Sequence, residues 1–199
     1  MGITVMGEKS LQKKQYILDT AKKVFVEKGY KNVTMKDIVA ACDISRGGLY
    51  LYFGSTEEIL LAVLEQDANE TDDIFMKSIT EDDSAANILT LFLKEQKKEL
   101  LRKKNNLAMA VYEYAFENKD GGAAMLRKQF EAGVRVIEKL ITSGIASGEF
   151  YCENPKGAAN NIMYVLEGMK VNSQTMGITE AMVDEQLLYI MEGLVIDVE

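Results

Sequence analysis

Thr34-Met-Lys-Asp37-Ile-Val-Ala-Ala-Cys42-Asp-Ile-Ser45-Arg-Gly-Gly-Leu-Tyr50-Leu-Tyr-Phe53 reads as two short helices with a tight turn between them. Thr34 is a good helix N-cap, and Asp37, three residues on, completes a capping arrangement. Ile38, Val39 and Cys42 give the first of the two helices an apolar side. Asp43-Ile44 makes the turn, where aspartate is among the few residues that tolerate a left-handed backbone. Ser45 then caps a second helix running to about Tyr52. That helix carries Arg46, two glycines and the phenols of Tyr50 and Tyr52, a poor composition for a core.

The same composition suits a DNA major groove. In a helix-turn-helix unit the second helix enters the groove while the first braces it across the backbone. Gly47 and Gly48 let the helix backbone approach base edges, at a cost of roughly 1 kcal/mol each relative to alanine. Arg46 can fork onto guanine O6 and N7. Tyr50, Tyr52, Thr34 and Ser45 carry hydroxyls, and Lys36 an ammonium group, that set register through phosphates rather than bases. Leu49 and Phe53 are expected to face inward onto Val24, Phe25 and Ile38.

Helical signals continue on both sides. Ile17, Ala21, Val24 and Phe25 stripe a helix expected over 10–28, with Gly29 at its C-terminal cap. Ser55-Thr56-Glu57-Glu58 opens a long helix through Ile59, Leu60 and Val63 to about Ser78. Further helices are expected at 84–103, 105–117, 122–147, 155–174 and 179–197, with Asn154-Pro155 as an N-cap and first-turn proline. The fold class is therefore all-α: an arm at 1–9 expected to be disordered, a three-helix DNA-binding head with the helix-turn-helix at 10–54, and a larger helical body at 55–199, whose roles in ligand binding and dimerisation are implied by the family resemblance given below.

The 199 residues are 47% hydrophobic and 27% charged, as in a soluble globular protein. No apolar run approaches the ~18 residues that a membrane helix needs, and Met1–Met6 is too short for a signal-peptide hydrophobic region. Cys42 and Cys152 form no metal or redox spacing and fit packed thiols in a reducing cytoplasm, the expected location. The net charge of −8 is unevenly spread. Residues 1–55 hold nine Lys/Arg against five Asp/Glu, and the remainder 14 against 26, so a head of +4 precedes a body of −12. Phosphate binding answers to local positive charge, which makes a basic head on an acidic body workable.

The spaced set Ile17-Leu18, Ala21, Phe25, Gly29-Tyr30, Val33-Thr34, Ile38, continuing through Ser45-Arg46-Gly47-Gly48-Leu49-Tyr50-x-Tyr52-Phe53, Ser55 and Glu57, resembles the DNA-binding domain of the tetracycline-repressor (TetR/AcrR-type) family. The likeness covers about residues 12–60. It implies a helical homodimer on double-stranded DNA, a divergent C-terminal body that binds a small-molecule effector, and regulation of transcription by release from an operator. It also implies that Arg46, Gly47, Gly48, Tyr50 and Tyr52 face DNA. Two positions depart from the family. Asp43 stands where glycine is frequent, and Thr56 stands where a phosphate-binding lysine is usual. Thr56 leaves a hydroxyl and a helix N-terminus for the phosphate, so somewhat weaker affinity is expected.

In the body, Ile162, Val165, Leu166 and Met169 share one helix face, and Val183, Leu187, Ile190, Met191 and Leu194 share another. Two such helices from each chain would form an intermolecular four-helix bundle, with Ile162, Leu166, Met169, Leu187, Met191 and Leu194 at the dimer interface. Periodicity alone fits an internal core equally well. The 105–117 helix is apolar on several sides, so Met109, Tyr112 and Phe116, with Phe130 of the next helix, are candidates to line a pocket for an apolar or amphipathic effector. Glu113, Glu117 and Glu131 nearby would favour a cationic lipophile or be solvated faces.

An enzyme is not expected. The chain has no histidine, no phosphate-cradling glycine loop, no nucleophile elbow and no zinc-ligand spacing, so neither cofactor nor metal is implied. The alternative is a helical dimeric interaction protein whose head no longer reads DNA.

Overall fold

The computed structural model describes residues 7–77, 83–102 and 107–194. Among them the chain forms nine helices: α1 (Glu8–Lys28), α2 (Met35–Cys42), α3 (Arg46–Tyr50), α4 (Thr56–Lys77), α5 (Ala85–Leu101), α6 (Ala108–Glu117), α7 (Lys119–Ser147), α8 (Pro155–Gln174) and α9 (Glu180–Glu192). None of these helices is long and apolar enough to cross a membrane. Most of the arm expected at 1–9 lies outside the described residues, but Glu8 and Lys9 already belong to α1. The last helix, expected to reach Asp197, is described to Glu192, and residues 195–199 lie outside the description.

The chain divides into two compact units. The first comprises 1–74 and 104–117, so it takes in most of α4 and all of α6 besides the three helices expected at 10–54. Its core closes over Ile17, Ala21, Phe25, Ile38, Leu49, Ile59 and Leu60, all fully buried. Local chemistry sets its helix ends. Thr34 accepts from the Asp37 backbone and Asp37 accepts from the Thr34 backbone, forming a capping box. Asp43 adopts φ 50°, ψ 46°, the left-handed cap that lets α2 stop and α3 start three residues later. Ser45 Oγ accepts from Gly48 N at 3.1 Å and starts α3. Ser55 Oγ does the same for Glu58 N at 3.1 Å, while Glu58 accepts from Gly54 N at 2.6 Å.

The second unit comprises 75–103 and 118–199. Here α5, α7, α8 and α9 enclose Leu89, Leu93, Ile137, Ile141, Phe150, Ile162, Leu166 and Val183. Asn118, accepting from Gly121 N at 2.9 Å, starts α7 three residues before the expected Gly122. Gly144 allows the closest approach in this core, because a β-carbon there would collide with the Phe150 ring. Gly148 (φ 78°, ψ 14°) ends α7 in a left-handed turn that brings Glu149 to the start of α5.

Glu149 accepts from Ala86 N at 3.0 Å and from Ser147 Oγ at 2.6 Å. These bonds, led by the Ser147 hydroxyl, hold its carboxyl down from the ordinary 4.5 to about 2. A carboxyl that is more acidic when folded stabilises the fold fully above its unfolded value, and loses that contribution as pH falls towards the folded one. The wild-type chain is therefore expected to weaken between pH 4.5 and about 2 more steeply than a Glu149→Gln variant. Urea midpoints followed across that window check it; parallel curves would remove Glu149 from the acid sensitivity.

Candidate nucleic-acid interface

The short α3 turns its apolar side inward and its polar side out. Leu49 is fully buried and Phe53 nearly so, whereas Ser45, Arg46, Gly47 and Tyr50 are exposed. The Arg46 guanidinium rests 5.4 Å from the Tyr50 ring centroid, one turn along the helix. This cation–π contact steadies a long side chain without consuming its donors. Gly47 faces open space: a β-carbon there would meet no atom within 4 Å. No packing neighbour inside the chain therefore requires glycine at 47. Gly48 differs, since a β-carbon there would stand 3.1 Å from Ser45 Oγ.

The start of α1 flanks this face. Tyr52 shares a hydrogen bond of 3.2 Å with Ser10 Oγ. Lys13 Nζ lies 3.8 Å from the point where a Gly48 β-carbon would stand. Lys14 sits 5.7 Å above the Phe53 ring. Exposed Lys9 and Lys13 thus add positive charge beside α3. Both belong to the basic head of the sequence, but charge on a first helix has no motif, and only the fold brings residues 10 and 52 together.

One expected phosphate contact is already engaged. The Thr34 hydroxyl donates its one proton to Asp37 Oδ2 at 2.5 Å, and Asp37 is also held by Lys28 Nζ at 2.8 Å. That network, led by Lys28, depresses the Asp37 carboxyl far below the carboxylate range. Thr34 therefore works here as a cap, and would have to turn away from Asp37 to donate to a phosphate. Thr56 is half-buried at the start of α4, beside a Tyr30 phenol whose ionisation is pushed up first by burial and then by the Glu57 charge. Lys36 is exposed on α2.

The candidate effector residues belong to different units, and the candidate dimer residues all lie in the second. Met109, Tyr112 and Phe116 lie on α6 in the first unit, and Phe130 on α7 in the second. The buried positions of α6 are Ala110 and Tyr114, while Phe116 is 79% exposed and Met109 41%. Phe130 packs at the edge of the second core, with its ring centroid 4.9 Å from that of Tyr164. Glu113 and Glu117 are tied to Lys31: its backbone N–H donates to Glu113 Oε2 at 2.9 Å, and its Nζ pairs with Glu117 at 2.9 Å. Both carboxylates thus hold α6 to the turn after α1, and neither stands free to meet a cation. Of the expected seam, Ile162, Leu166, Met169 and Leu194 are buried within one chain, and Leu187 and Met191 pack against them. Four of these six side chains are internal core, and Leu187 and Met191 are half-buried at its edge. Exposed on the other side of α8 are Tyr164, Gly168 and Val171, spaced four and three. On α9 Met182 and Tyr189, and likewise Ala181 and Leu188, recur at seven residues on exposed positions.

Comparison with known proteins agrees with this geometry. Residues 17–63 match the family model described as bacterial regulatory proteins, tetR family, and residues 88–184 match that of the tetracyclin repressor-like C-terminal domain. The uncharacterized HTH-type transcriptional regulator YfiR of Bacillus subtilis is 34% identical over 158 residues, covering 78% of this chain and 76% of its own length. The HTH-type transcriptional repressor AcnR of Corynebacterium glutamicum is 36% identical over 62 residues, 31% of this chain and 33% of its own. A TetR transcription regulator from Haloarcula marismortui has the same fold, with a TM-score of 0.81 at 17% identity over 94% of this chain and all of its own. The chain belongs to the tetR family of bacterial regulatory proteins, and is a DNA-binding transcriptional regulator rather than an enzyme.

Proposed function

We propose that this regulator is a homodimeric repressor, which leaves an inverted-repeat operator when its helical body takes up a small apolar or amphipathic effector. The observation that carries the DNA half is the outward face of α3, where Gly47 is open to 4 Å beside an exposed Arg46. The reading assigns base contact to Arg46, close approach to Gly47 and Gly48, and phosphate contact to Ser45, Tyr50, Tyr52 and Lys36. The dimer seam falls on the exposed strips Tyr164–Gly168–Val171 of α8 and Met182, Leu188 and Tyr189 of α9. A seven-residue recurrence of apolar side chains suits helices packed nearly parallel, and the side-chain-free Gly168 allows close approach. A two-fold dimer would set two α3 helices about 34–36 Å apart on one side of the duplex.

The effector acts through chain connections. Helix α4 runs unbroken through the boundary at 74, and α6 is contributed to the first unit by a chain that comes from the second and returns to it. Three ties hold α6 within the first unit: Glu113 to the Lys31 N–H, Glu117 to the Lys31 ammonium, and Tyr114 Oη donating to Glu57 Oε1 at 2.7 Å. The Tyr30 and Tyr114 rings meet edge to face at 5.2 Å. Displacing α6 breaks these ties at the base of α1 and α4 and disturbs the head. An effector can exert only its difference in affinity between the two states.

Glu113→Ala is therefore expected to shift the effector concentration that releases DNA by about five- to 150-fold, the usual range of such coupling. Operator affinity without effector should change much less. Fluorescence anisotropy on labelled operator measures both, and an unchanged release curve would exclude this route.

The whole reading is tested by placing an operator recovered from random DNA across a reporter promoter. Repression that is relieved by a member of an amphipathic compound library supports it. Transcription that rises when the protein binds would make it an activator.

A further inference from the structure

We infer that Leu51 reads a thymine methyl group in the major groove, an assignment that rests on the DNA-binding reading of α3. Leu51 is 83% exposed, more than any other large apolar side chain among the described residues. It caps the C-terminal end of α3, with its N–H donating to Gly47 O at 3.2 Å, so it stands one turn beyond Gly47 on the same side of the helix. An isobutyl group in water beside an open glycine is unexplained by the fold. Its neighbours Leu49 and Phe53 face the core, and Leu51 contributes nothing to that packing.

The position defines the occupant. Leu51 continues the exposed face of Arg46, Gly47 and Tyr50 and lies on the element that enters the groove. In that groove each base pair displays polar edges, and the one apolar feature is the C5-methyl of thymine. Leucine has no donor or acceptor, so a polar edge opposite it would lose its water without gaining a bond. A methyl group opposite it is buried favourably. The open floor at Gly47 lets the base edge come near enough for Leu51 to cover it. Arg46 and Leu51 then read different things: a guanine by forked hydrogen bonds, and a thymine by its methyl.

Deoxyuridine pairs like thymidine but lacks the methyl, which isolates this contact. Each thymine of an operator recovered by selection is replaced singly by deoxyuridine, and binding of the full-length protein is measured. Wild type is expected to weaken about fourfold at one position in each half-site, the worth of one buried methyl-sized group. Leu51→Ala and the polar Leu51→Asn should bind thymine and uracil operators equally at that position. Unchanged melting temperatures are expected for both variants, because the side chain is exposed. Wild-type binding indifferent to every replacement would overturn the inference, as would variants that keep the wild-type sensitivity. If selection recovers no operator at all, the DNA reading of α3 fails first, and this one with it.

Discussion

A chain carrying Val171→Glu and Leu188→Glu should remain folded, sediment as a monomer, and bind its inverted repeat roughly 10²–10⁴ times more weakly than wild type. Val171 is 43% exposed and Leu188 56%, so neither substitution opens the core of its own unit. Together they would put four carboxylates into a two-fold bundle, since every substitution appears twice. Buried unpaired charges of one sign cost more than such a seam can offset. The loss in DNA binding is then a loss of the second head, because one half-site engaged alone forfeits the effective concentration supplied by the first. Analytical ultracentrifugation and operator titration read the two effects separately. A dimer that persists in this variant would move the seam away from α8 and α9.

Arg46→Ala should lower affinity for the recovered operator by about 1–3 kcal/mol, the worth of a bidentate guanine contact, and relax the sequence preference at one base pair per half-site. Binding to random duplex should fall far less, since the exposed lysines of α1 and α2 keep their positive charge for phosphates. The guanidinium lies over an exposed ring and makes no core contact, so thermal stability should hold within about 0.5 kcal/mol. Competition between operator and random duplex gives the ratio. An unchanged ratio would take base reading away from Arg46.

The parts of this molecule legible in its sequence are those set by local chemistry. Asn154-Pro155 fixes where α8 begins, and the helix spans Pro155–Gln174 as expected. Asp43 takes the left-handed conformation its short side chain permits, and Leu49 and Phe53 are buried by a spacing that places them opposite Arg46 and Tyr50. What stayed illegible depends on partners distant along the chain. Helix α6 is apolar on several sides, and its buried side is chosen by Tyr30 and Glu57, which meet Tyr114 across more than 50 residues. Its periodicity therefore could not tell that Phe116 is exposed. Likewise α8 carries two stripes. Ile162, Leu166 and Met169 are richer in branched and flexible apolar groups and draw attention first, yet they fill the chain's own core. The outward stripe is diluted by Gly168 and so reads weakly. Thr34 shows a third limit, because whether a cap hydroxyl has a proton to spare depends on where Asp37 points.

The measurement to make is selection of bound sequences from a random duplex pool, with purified wild-type protein at near-physiological salt. Two copies of one half-site in inverted orientation, their centres about one helical turn or a multiple of it apart, are the predicted result. A folded, dimeric protein that enriches no sequence with or without candidate effectors would contradict the assignment of α3 as a base-reading helix.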